Sequence, residues 1–106
     1  MVGGRARARS PRELTENPEA WPHAASGDAG AEAVRQIARN LEAALRQMDV
    51  SLRGAAAGSG VNRQTIADLL AGRSWPDVAT VARLIRFTQI RLWPSDGPID
   101  ERELGH

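Results

Sequence analysis

The sequence predicts an all-α fold, one bundle of four to five short helices with flexible tails. Three observations point there. A chain of 106 residues suits one compact domain plus flanking segments and is short for two. Apolar residues recur at helical spacing in successive blocks from Glu32 to Leu92. Residues that start and stop helices, such as Ser51, Asn62 and Gly72, separate the blocks. Hydrophobic residues make up 42% of the chain and aromatics only 4%, so the core must be mainly aliphatic. A domain this small is marginally stable, and a partner subunit would help it.

Residues 1–30 read as a flexible arm. They carry Gly3-Gly4, the alternating Arg5-Ala6-Arg7-Ala8-Arg9, and the Ser10-Pro11, Asn17-Pro18 and Trp21-Pro22 breaks, with no lasting period. Ser10 to Leu14 could start a short helix, and Trp21 is large enough to pin the arm to the domain. The domain proper spans residues 31–94. Its first helix should run from Glu32 to Asp49, with Val34, Ile37, Ala38, Leu41, Leu45 and Met48 on one stripe. Arg35, Arg39, Glu42 and Arg46 fall on the other face. Ser51 can cap a second helix reaching Gly58, although Gly54 and Gly58 each cost roughly 1 kcal/mol against Ala. Composition alone would read this stretch as a Gly-Ala-Ser linker. After the turn Gly58 to Val61, Asn62 can cap a third helix reaching Ala71, with Ile66 and Leu69 inward and Gln64 and Asp68 outward. Gly72 ends it. A fourth helix, Val78 to Thr88, is expected to bury Val78, Val81, Ala82 and Ile85. Residues 95–106 read as an acidic C-terminal tail.

The net charge of +1 hides a gradient. Residues 31–94 hold nine Arg against five acids, a net of +4, while residues 95–106 hold one Arg against four acids, a net of −3. Such a surface attracts polyanions, or is simply solvated. No cysteine is present, which excludes disulfides, thiolate metal sites and cysteine nucleophiles. The two histidines, His23 and His106, lie in the tails, and no serine has a neighbouring base. No catalytic residue, metal site or cofactor is therefore expected, and the chain reads as a non-enzyme. With no secretory segment and no long apolar run, the expected location is the cytoplasm, without membrane contact.

Function is concentrated in residues 51–72. Two short helices crossing steeply need a small residue where they touch, and Ala56 suits that place. The turn between them needs positive φ, which Gly60 can adopt. Val61, Ile66 and Leu69 anchor the second of the two helices, leaving its other face outside. The ordered set Ala56, Gly60, Val61, Ile66, Leu69 and Gly72, with the continuation Gly72 to Leu84, resembles the lambda-repressor-like (Cro/cI, XRE) helix-turn-helix family over about residues 32–94. Trp75-Pro76-Asp77 and Leu92-Trp93-Pro94 resemble segments of its short actinomycete-type regulators.

The resemblance implies a transcriptional regulator that binds double-stranded DNA with the helix 62–71 in the major groove. Arg63, Gln64 and Asp68 would then contact bases: Arg63 would read guanine or hold a phosphate, Gln64 would read adenine, and Asp68 would accept from cytosine or orient Arg63 or Gln64. Arg53, Asn62, Thr65 and Arg73 would contact the backbone. Arg5, Arg7 and Arg9 would follow the minor groove or phosphates, or form a disordered tail. Leu84, Phe87, Ile90, Leu92 and Trp93 exceed one helix stripe and are expected to form a dimer or partner surface. A homodimer would span two half-sites roughly 34 Å apart. The competing reading is a protein-interaction adapter, such as an antitoxin or anti-regulator, that grips a protein partner through Phe87 and Trp93.

Overall fold

A computed structural model of the chain describes residues 9–94; Arg5 and Arg7 of the basic run and the acidic tail 95–106 lie outside the described residues. The described residues are all-helical. Two single turns of 3-10 helix, Arg12–Leu14 and Pro18–Ala20, precede four α-helices: α1 (Ala29–Met48), α2 (Leu52–Ser59), α3 (Arg63–Leu70) and α4 (Val78–Thr88).

Each helix begins at a side-chain cap. Asp28, Ser51, Asn62 and Asp77 accept from the backbone N–H of Ala31, Gly54, Gln64 and Thr80 respectively, satisfying donors that no helical carbonyl reaches. The stretch that composition would make a linker is thus a helix. Ala55, fully buried, gives α2 its inward contact, and Val61 and Leu52 flank it in or against the core. Ala56, expected where α2 and α3 touch, is partly buried and packed against the core, beside the fully buried Ala55.

The core joins Val34, Ile37, Leu41 and Leu45 of α1 to Ile66 and Leu69 of α3 and to Val81 and Leu84 of α4. In α4 the buried stripe is Thr80, Val81, Leu84 and Thr88, while Val78 is 71% exposed and Ala82 is exposed. The inward face is therefore rotated toward Leu84 relative to the expected one. The chain then folds back: the Asn40 amide donates to the Leu92 carbonyl at 3.0 Å, and Leu92 enters the core. Leu84 and Leu92 have no exposed surface, so neither can form the dimer or partner surface expected of them. Phe87, Ile90 and Trp93 are partly buried against the same core.

Residues 9–30, expected to be a flexible arm, pack on the bundle. The Trp21 indole N–H donates to the Leu70 carbonyl at 2.9 Å, and the Arg12 N–H to the Gly72 carbonyl at 3.0 Å. Glu32 is the second anchor. Its carboxylate accepts from the Ser26 N–H, the Gln36 amide and the Arg35 guanidinium, and Arg35 also donates to the Pro22 carbonyl. Arg35 was expected on the solvent face but is buried, paired with Glu32. The hydrogen bonds from Arg35, with those from Gln36 and Ser26, hold the Glu32 carboxyl at about 2 against an ordinary 4.5. No helix among the described residues is long and apolar enough to cross a membrane.

Candidate nucleic-acid interface

The turn between α2 and α3 depends on Gly60, whose φ of +79° lets its N–H reach the Ala56 carbonyl. Val61 then drops into the core, and Asn62 accepts from the N–H groups of both Gln64 and Thr65, at 2.7 and 3.3 Å. This cap sets the start of α3 and so the level at which Arg63 and Gln64 emerge. Ile66 and Leu69 are fully buried. At 100° per residue, Gln64 lies roughly opposite them, and it is exposed.

The far end of α3 is closed by two backbone bonds. The Gly72 N–H donates to the Leu69 carbonyl and the Arg73 N–H to the Asp68 carbonyl, at 3.1 and 2.9 Å, around the positive φ of Gly72. This is a Schellman closure. It turns Arg73 back along the helix, where its Nε and Nη2 reach Asp68 Oδ1 at 3.0 and 2.9 Å. The same oxygen accepts from Gln64 Nε2 at 3.0 Å. The hydrogen bond from Gln64, then the bond and charge of Arg73, lower the Asp68 carboxyl below its usual range.

The expected site residues thus divide. Gln64, Asp68 and Arg73 form one bonded cluster, and Asn62, Gln64 and Thr65 share the cap. Arg53 and Arg63 are exposed and bonded to none of these residues. Asn62 and Thr65 differ in access, with Asn62 exposed and Thr65 half-buried. The Asp68–Arg73 pairing went unread in the sequence. Its signal was there: an acid and an Arg five apart across a helix-ending glycine, which a Schellman closure brings together. Trp21 pins the N-terminal segment to the domain, as its size predicts, but the support this gives to α3 went unread. Trp21 lies against Gly72, and the Trp75 indole N–H donates to the Arg9 carbonyl at 3.1 Å, so residues 9–21 brace the end of α3 and the loop after it.

A separate recess of about 550 Å³ is lined by Gly58, Ser59, Arg83, Arg86 and Phe87. Phe87 lies directly over Gly58, where a Cβ would come within 2.1 Å of the ring.

Comparison of the chain with curated proteins and with solved structures gave no match. Residues 41–92 match the family model described as helix-turn-helix. That match covers the later part of α1, all of α2, α3 and α4, and the return through Leu92. The resemblance seen in the ordered glycines and apolar positions therefore holds, and residues 41–92 are similar to the lambda-repressor-like (XRE) helix-turn-helix family.

Proposed function

We propose that this protein is a sequence-specific DNA-binding regulator of transcription that lays α3 in the major groove of double-stranded DNA. The observation that carries this reading is the exposed first turn of α3, with Arg63 and Gln64 projecting from a helix whose opposite side is buried and whose start is capped. The family is one of DNA-binding regulators. In the groove, Gln64 can pair with the N7 and N6 of adenine and Arg63 with guanine, each good pair being worth about 1–3 kcal/mol of discrimination. Arg53 and the unengaged Nη1 side of Arg73 suit phosphates flanking the groove, and Asn62 and Thr65 are placed to approach the backbone. Asp68 is held beside Gln64, at the edge of the same surface. The expected two-copy assembly would rest on the outer parts of Phe87, Ile90 and Trp93, since Leu84 and Leu92 lie inside the core.

The test is binding to fragments of the source genome at two salt concentrations, with wild type and Gln64→Ala side by side. Saturable binding that weakens with salt, with a changed base preference in the variant, supports the reading. Binding equal for all fragments and indifferent to Gln64 overturns it. The recess beside Phe87, flanked by two exposed Arg, favours a second reading as a protein-interaction adapter. That reading expects Phe87→Ala to abolish function while Arg63→Ala and Gln64→Ala leave it intact.

A further inference from the structure

A carboxylate on the outward side of a DNA-reading helix faces phosphate repulsion, so the placement of Asp68 needs a physical reason. The structure supplies two partners for it. Gln64 Nε2, one helical turn earlier, donates to Oδ1 at 3.0 Å, and Arg73 donates to the same oxygen through Nε and Nη2. Arg73 is itself fixed by the backbone bond from its N–H to the Asp68 carbonyl. We propose that Asp68 is a positioning residue: it fixes which way round the Gln64 amide is presented to the bases, and Arg73 is the counter-cation that permits a carboxylate there. The inference rests on the base-reading role proposed for Gln64.

The argument is one of donors and acceptors. A glutamine amide carries an N–H pair at one end and a carbonyl oxygen at the other, and it can face a partner either way round. An ionised carboxylate offers acceptors only. It takes the N–H end of Gln64 and repels the oxygen end. With one N–H committed to Asp68, the second N–H and Oε1 remain to face outward, and they do so in a single order. Adenine presents its N7 acceptor beside its N6 donor. A free amide could match that pair in either sense; a held amide matches it in one. Asp68 would therefore decide the strand on which the adenine is accepted, without touching a base. The guanidinium cancels most of the local negative charge, and its remaining donors stay free for a phosphate.

The experiment is selection of bound duplexes from a randomised double-stranded pool by wild type, Gln64→Ala and Asp68→Ala. Asp68→Ala is expected to keep or raise overall affinity, because an anion is removed. Its base preference should fall about fivefold or more at the same base pair that Gln64→Ala affects. The double variant should lose nothing further at that pair. An unchanged preference in Asp68→Ala overturns the proposal. So does a loss at a base pair that Gln64→Ala leaves intact, which would make Asp68 itself the reader. A wild type that enriches no sequence removes the DNA-reading role, and this inference with it. A second measurement needs no DNA. In the full chain, the Gln64 side-chain amide resonances should move as Asp68 is titrated with acid, with a midpoint raised in Arg73→Ala. Amide resonances that ignore the Asp68 titration overturn the proposal.

Discussion

Gly72 is where two unrelated demands for the absence of a side chain meet, and Gly72→Ala measures both. The backbone there has φ +74°, and a Cβ would lie 2.6–2.8 Å from three atoms of the Trp21 indole, well inside contact distance. The left-handed conformation costs a non-glycine residue about 1–2 kcal/mol, of which the lower chain entropy of unfolded alanine returns roughly 0.5–1 kcal/mol. The clash must be relieved by moving Trp21, which sacrifices the indole bond to the Leu70 carbonyl, about 0.5–1.5 kcal/mol, and part of the ring's packing. With about 0.5–1.5 kcal/mol for the lost packing, the sum is about 1–4 kcal/mol. Urea unfolding followed by helical circular dichroism should show it as a lowered midpoint with an unchanged m-value, and heating as a fall in Tm. The clash should disappear when the ring is absent. Against a Trp21→Ala background, Gly72→Ala is expected to cost only about 1 kcal/mol, a coupling that a double-mutant cycle resolves. A cost below about 0.5 kcal/mol in the wild type, or equal costs in both backgrounds, would refute the reasoning.

The corrected α4 stripe has its own test. Leu84→Ala and Leu92→Ala should each destabilise the monomer by about 2–5 kcal/mol, while Val78→Ala, at an exposed position, should stay within about 0.5 kcal/mol; sedimentation would expose the opposite result, dissociation of an assembly without loss of stability. The Glu32 anchor makes acid stability specific. Because its folded carboxyl titrates at about 2 and not 4.5, its contribution is complete above pH 4.5 and is lost as the pH falls toward 2. The wild type should lose on the order of 2 kcal/mol through this window, and Glu32→Gln should lack that part of the slope in pH-dependent unfolding. Asp49 ends α1 at φ +56° with an exposed side chain, so Asp49→Gly should raise the urea midpoint by the equivalent of about 0.5 kcal/mol.

The local chemistry of the chain was enough to place all four α-helices. Ser51 and Asn62 announced starts because their short side chains can satisfy free N–H groups, and Gly60 and Gly72 announced ends because left-handed backbone favours them. The apolar spacing in α1 identified its buried face, and Gln64 could be placed outward because Ile66 and Leu69 had to point inward. All of these are short-range constraints, acting within one or two turns. What tertiary structure decided involves groups far apart in the chain. Nothing near Arg35 says that Glu32 and the Pro22 carbonyl will jointly repay its burial. The surplus of apolar residues after Thr88 looked like a partner surface because the return of Leu92 to the core depends on Asn40, 52 residues earlier. Trp21 could be suspected as a pin, but its target, the end of α3 49 residues away, is set by where the whole bundle places Leu70. Sequence determines the local preferences of caps, turns and helical faces; which distant groups satisfy one another is fixed only once the packed chain brings them within bonding distance.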